Sequence, residues 1–202
     1  ISARAAPCMS GVPDLGRPVY GWPNTAVEWT FQRRRRSAVA LVAVHVLWLV
    51  WMQRPLLCSG GDTFLWPPAG TPHNSQHLAD WYSLLHVGFG MTVALLLAWM
   101  RPHWRLRDRA LVALISSTVW EMVENTQALI ALLSNAGSVA PDYFGDSIVN
   151  SLADSLFTLC GFWAASRLGW RSTLVLVALL EVAVSLAIKD GWLLTLVRLL
   201  TP

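Results

Sequence analysis

Asp142, Asp146, Asn150 and Asp154 recur every four residues in PDYFGDSIVNSLADSLFTLCGFW, a stretch that starts with turn residues and runs into an apolar segment long enough to enter a membrane. On a helix this spacing makes one slowly drifting polar stripe on an apolar rod. A carboxylate near the bilayer centre costs about 2.5 to 3.5 kcal/mol on insertion scales, so the stripe must face a protein interior, a partner or a water-filled cavity. Glu121, Glu124 and Asn125 share a helix face, being three and four residues apart. Two carboxylates on one face repel unless one is protonated or a cation sits between them. Together, His77, His86, Glu124, Asp146 and Asp154 are ligand types suited to zinc, iron or manganese, with carboxylates left over as a general base. A divalent metal ion is the cofactor such a set would take. His77 and His86 would be its nitrogen ligands, and Glu124, Asp146 and Asp154 the candidate catalytic groups. The competing reading is that these side chains hold helices together through interhelical hydrogen bonds, each worth about 0.6 kcal/mol on average. No H-E-x-x-H, G-x-S-x-G, phosphate-binding glycine loop or C-x-x-C is present to decide between them.

The elements that must position these residues are apolar runs. Of 202 residues, 54% are hydrophobic, 13% are charged and 12 are Trp, whereas a soluble domain carries about 25% charged residues. The expected fold class is an all-α integral membrane bundle of about five transmembrane helices, placed at residues 37–53, 81–100, 110–133, 147–166 and 172–188. Residues 1–36, rich in Pro, Gly and Arg, read as an irregular cytoplasmic tail, and 37–202 as the transmembrane domain. GWLLTLVRLLTP at the end reads as an interfacial segment. That the first residue is Ile1 rather than Met points to a fragment or a processed chain.

The net charge of +3 does not point to nucleic acid. The basic residues are confined to short segments between apolar runs, where they report topology. Arg33–Arg36, then Arg101, Arg105, Arg107 and Arg109, then Arg167 and Arg171 all fall on one side of a five-span arrangement. That side is the cytoplasm, with the N-terminus in and the C-terminus out. His77, Asp80, His86, Glu121, Asn125, Asp142, Asn150 and Glu181 then join the candidate catalytic groups in one pocket in the outer half of the bilayer. Glu124 and Asn125 are expected mid-span, and Glu181 at the centre of the fifth span. His45, alone in the first span, is expected to bond to a neighbouring helix. Trp66, Trp81, Tyr82 and Trp192 lie near predicted boundaries and read as an aromatic belt. The three cysteines, Cys8, Cys58 and Cys160, have neither metal-type spacing nor the look of a disulfide framework.

Several ordered motifs carry a resemblance. They are Cys58 with Gly61 and Trp66, NSQHLADWY from Asn74 to Tyr82 with His86, W-E-x-x-E-N at Trp120 to Asn125, DYFGDSIVNSLAD from Asp142 to Asp154, Glu181, and Lys189 with Asp190. From Trp51 onward the chain resembles domain-of-unknown-function family 2585, bacterial inner-membrane proteins known mainly from alphaproteobacteria. The resemblance implies an integral membrane protein and no particular activity. The family pattern has C-x-C where this chain has Cys58 and Gly60, and a second histidine where it has Phe89. These departures take the Cys58 loop out of the metal or redox candidates and leave any site resting on His77 and His86. Glu124 to Gln127 followed by Asp146 to Asn150 is also similar, more faintly, to VanZ-like envelope proteins.

Three functions are compatible with this pattern. One is a membrane-embedded, metal-dependent enzyme acting on a lipid or envelope intermediate. Another is a non-catalytic accessory or assembly subunit, with the lipid bilayer and protein partners met through the cytoplasmic tail and the Trp-rich membrane surface. The third is a transporter or proton pathway, disfavoured because no inverted internal repeat is visible. In all three the protein is a multi-pass protein of the bacterial inner (plasma) membrane. Cysteine-accessibility labelling tests the orientation: Ser138→Cys is expected to react with a membrane-impermeant reagent from the periplasm and Ser172→Cys to be protected. The reverse pattern would overturn the topology.

Overall fold

The computed structural model describes residues 30–58, 65–67, 73–135 and 143–201. Seven helices and no strand occur among them: α1 (Phe31–Trp51), α2 (Trp81–Met100), α3 (Leu106–Glu124), α4 (Gln127–Asn135), α5 (Ile148–Ala165), α6 (Trp170–Ile188) and α7 (Trp192–Leu200). Three of them, α2, α5 and α6, are long and apolar enough to cross a membrane. Within its length α1 carries Arg33–Arg36, and α3 carries Arg107, Asp108, Arg109, Glu121 and Glu124. Composition alone therefore does not mark those two as crossings.

The boundaries follow from capping chemistry. The side chain of Asp80 accepts from the Tyr82 and Ser83 amides, and the Ser83 hydroxyl receives the Asp80 amide, so a capping box starts α2. Ser147 caps α5 through the Asn150 amide. Two expectations are corrected. The arginine run, read as the end of an irregular tail, lies inside α1: Thr30 caps the helix at Arg33, Arg is a good helix former, and Arg34 pairs with Asp108 at 3.0 Å. Residues 1–29 lie outside the described residues. The single run expected over 110–133 breaks after Glu124. There Asn125 Nδ2 donates to the Glu121 carbonyl and the Thr126 hydroxyl to that of Val123, local side-chain bonds that compete with helix continuation.

The centre of the bundle is the pair α2 and α5, the most extensively packed helices. They run in the same direction: Ser147 N donates to Ser75 O just before both helices, Ser83 in the first turn of α2 meets Asp154 in the second turn of α5, and mid-helix glycines meet further along. A Cβ on Gly90 would lie 1.8 Å from Thr158 O, and one on Gly161 1.9 Å from Val87 O. Small residues at such a crossing let two backbones touch. Around it Met91, Val93, Ala94, Ala113, Phe162 and Ala165 form the apolar core. α6 lies against α2 through Leu85, Val184 and Ile188. Its outer face, with Leu174, Val175, Leu179, Val182 and Leu186, is exposed.

Gly161→Ala is expected to destabilise the detergent-solubilised protein by at least about 1 to 3 kcal/mol, because backbone atoms must separate to admit the methyl group. By contrast, Gly169→Ser has nothing within 4 Å of its Cβ and sits at the extended N-cap of α6, so it should be neutral or slightly stabilising. Thermal melting of the two variants is the check.

Candidate functional site

The first turn of α5 organises the polar region. Its exposed amides, which a helix start leaves without intrahelical partners, are taken by other segments. Ile148 N donates to Pro55 O and Val149 N to Leu56 O, while Asn150 Nδ2 donates to His77 O. Gln76 Nε2 donates to Gly145 O and Arg54 to Phe144 O, closing the loops around residues 54–58, 73–80 and 143–147 onto one another.

Beneath these loops the acids are nearly all withdrawn from solvent. Glu121 is 0% exposed, Asp80 2%, Asp154 3% and Asp146 4%. Asp80 accepts from the Ser75, Tyr82 and Ser83 amides. Burial raises its pKa, and those amide bonds pull the other way. Asp146 Oδ2 accepts from Asn125 Nδ2 at 2.6 Å and its Oδ1 from the Tyr143 hydroxyl at 3.0 Å, while Asn125 Oδ1 receives the Asp146 amide. Burial lifts Asp146 to about 6, and the bonds from Asn125 and Tyr143 hold it from going higher. The Tyr143 hydroxyl is itself pushed well up, by burial first and then by the Asp146 charge.

Deeper in the bundle, His86 stands between two helices. Its Nδ1 lies 3.4 Å from Glu121 Oε1 and its Nε2 3.8 Å from Asp154 Oδ2. Asp154 Oδ1 accepts from Ser83, and Glu121 Oε2 from Ser151, whose hydroxyl also meets His45 Nε2 at 2.9 Å. His45 thus bonds to a neighbouring helix, as its solitary position predicts. Two buried carboxylate oxygens, Glu121 Oε1 and Glu124 Oε2, have no hydrogen-bond partner among the described residues. Ligand atoms of His86, Glu121 and Glu124 lie within 4.8 Å of one another. Above them opens a cavity of about 410 Å³, lined by His86, Glu124, Tyr143, Tyr82 and Asp190 together with Leu85, Phe89, Trp120, Leu133, Trp192 and Leu196.

The structure therefore brings His86, Glu121 and Glu124 together, with Asp154 against His86 and with Asn125 and Asp146 nearby. His77 does not join His86. Its ligand atoms group with those of Cys58 and His73, because its loop is fastened to the start of α5 through its own carbonyl. Glu181 is also elsewhere: its carboxylate accepts from the Trp192 and Leu193 amides and so starts α7. Asn150 fastens loops, and Asp142 lies outside the described residues. Glu124 and Asn125 sit at the end of α3 rather than mid-span. Tyr143, Ser83 and Ser151 also belong to the site: Tyr143 lies three residues from the acid it serves, a signal the sequence offers, whereas Ser83 and Ser151 reach Asp154 and Glu121 from 71 and 30 residues away, which it does not.

Residues 49–202 match the family described as "Protein of unknown function (DUF2585)". The chain belongs to this family. Relatives include a UPF0314 protein of Brucella anthropi, 37% identical over 165 residues that cover 81% of this chain and 83% of the relative. The UPF0314 protein of Paracoccus denitrificans is 33% identical, covering 83% and 90% of the two chains, and that of Sphingopyxis alaskensis 34% identical, covering 82% and 88%. No solved structure matches.

Asp146 gives a pH dependence whose sign is fixed. Its native pKa, about 6, lies above the 3.8 of an ordinary aspartate, so between those pH values the native state holds a proton the unfolded state has lost. Its contribution to stability is therefore largest at the acid end, falls as pH rises through that window and is level above it. Melting temperatures taken across pH 4 to 7 should show this decline, and it should be shallower in Asp146→Asn.

Proposed function

We propose that the protein is a multi-pass inner-membrane enzyme with five crossings, formed by α1, α2, α3, α5 and α6. In this reading His86, Glu121 and Glu124 would hold a divalent cation beside the polar part of a lipid or envelope intermediate whose apolar part enters the cavity from the outer leaflet. The orientation is supported by the Arg34–Asp108 pair, which joins the arginine-bearing starts of α1 and α3, while the acids gather toward the opposite ends of the helices.

The observation that carries the reading is one buried oxygen on each of Glu121 and Glu124 that accepts no hydrogen bond, with His86 Nδ1 3.4 Å from the first, beside a largely apolar cavity. Structural glue has no use for carboxylate oxygens left without a donor, whose desolvation is costly. A cation between them removes the repulsion, and the imidazole and carboxylate set suits manganese, iron or zinc. Apolar pockets with a few convergent polar groups are where small amphipathic ligands bind. The cation would supply Lewis acidity toward an oxygen of the substrate. The Tyr143 hydroxyl, which lines the same cavity and is backed by Asp146, would pass a proton, and a carboxyl group titrating near 6 is suited to that exchange at neutral pH. Asp154, against His86 Nε2, would orient the imidazole.

Manganese binding tests the proposal, followed by the loss of the free-ion electron paramagnetic resonance signal in protein purified without chelator. One equivalent should bind, and His86→Ala or Glu124→Gln should each weaken binding by at least about ten-fold. If the native protein takes up no stoichiometric metal and metal addition leaves its melting temperature unchanged, the cluster is a hydrogen-bonded core and the accessory-subunit reading replaces the enzyme.

A further inference from the structure

We propose a second metal site, separate from the cavity, in which Cys58, His73 and His77 bind one thiophilic divalent cation, zinc by the chemistry of its ligands. Each offers one ligand atom, and the three atoms lie within 4.8 Å of one another. Cys58 Sγ stands 3.2 Å from His73 Nδ1, and the rings of His73 and His77 are 5.7 Å apart and tilted by 46°. One thiolate and two imidazoles make the three-ligand set of a zinc ion that keeps its fourth position for water or a further donor. The first site, with one imidazole and two carboxylates, is a harder donor set, so the two should sort metals by softness.

The convergence is built by the fold rather than by local sequence. Cys58 and His77 come from loops 19 residues apart, and the same helix start fastens both. Val149 N holds Leu56 O two residues before the cysteine, and Ser147 N holds Ser75 O midway between the histidines. Asn150 Nδ2 holds the carbonyl of His77 itself, from a side chain that is 0% exposed. Between the histidines, Ser75 adopts φ 59°, and its amide donates to Asp80 Oδ2 at 2.7 Å, folding residues 73–77 into a tight turn that sets both rings on one side. His77 is buried and the other two ligands are half-buried. Such backbone anchoring around a ligand set restricts the geometry before the ion arrives. Binding converts the Cys58 thiol to a thiolate and releases its proton to solvent, so affinity should rise with pH. An ion here would clamp the loop after α1 to the loop before α2, directly above the start of α5.

Cobalt serves as the spectroscopic probe, in a Cys8→Ser, Cys160→Ser background that leaves Cys58 as the remaining thiol. One equivalent of Co2+ should produce a thiolate-to-cobalt charge-transfer absorption that Zn2+ displaces. His77→Ala should weaken cobalt binding at this site by at least about ten-fold, whereas His86→Ala and Glu124→Gln should leave the band intact. Should the ligand variants fail to fold, the background protein itself supplies the test, since Zn2+ should slow the reaction of Cys58 with a thiol reagent by at least about ten-fold, a rate that follows thiolate availability. Absence of the charge-transfer band, or unchanged thiol reactivity in saturating Zn2+, would overturn the site. Loss of the band in His86→Ala would show instead that the chain holds a single metal locus.

Discussion

Carboxyl groups taken out of water must each find a donor, a proton or a cation, and the architecture of this protein is a set of answers to that demand. Asp80 takes three backbone amides and in doing so starts α2. Asp146 takes Asn125 and Tyr143 and so joins the end of α3 to the segment before α5. Glu181 takes two amides and starts α7. Glu121 and Asp154 are supplied only in part, by Ser151, Ser83 and the flank of His86, and Glu124 keeps one buried oxygen without a partner. The fully supplied acids hold the frame, and among the incompletely supplied ones Glu124 lines the cavity.

The long apolar helices were the legible part of the chain. The boundaries read for α2, α5 and α6 lie within two residues of the observed ones, because apolar composition ends sharply at arginines, glycines or capping residues on each side. The break between α3 and α4 was not legible. Hydropathy drops across Glu124, Asn125, Thr126 and Gln127, but a polar run inside a span also reads as a buried face, and the interruption itself comes from two side chains bonding to their own backbone.

The polar residues were legible as a set, and their grouping was not. Four-residue spacing places Asp146, Asn150 and Asp154 on one side of a helix, yet those three side chains do different things: one bridges helices, one fastens loops and one meets a histidine. His77 and His86 look alike in sequence, nine residues apart. The turn at Ser75 and the capping box at Asp80 lie between the first and the helix that carries the second, so they face different neighbours. Cys58 was set aside for want of a partner at short spacing, and its partners arrive through tertiary contacts with α5 that spacing does not encode.

The glycine contact between α2 and α5 bears on all of this as a gauge block bears on a measuring instrument. Gly90 and Gly161 fix the distance between two rods at one point, with backbone against backbone and no side chain to yield. Ser83 lies seven residues toward the N-terminal end of α2 from Gly90, about 10 Å along the axis at 1.5 Å per residue. Its 2.8 Å bond to Asp154 is therefore read off at the far end of a lever whose fulcrum is the crossing. Splay of a few degrees there becomes most of an ångström at the acids, enough to part Ser83 from Asp154 and to move His86 relative to Glu121. The tolerance of the polar cluster is thus set by two residues that carry no polar side chain at all.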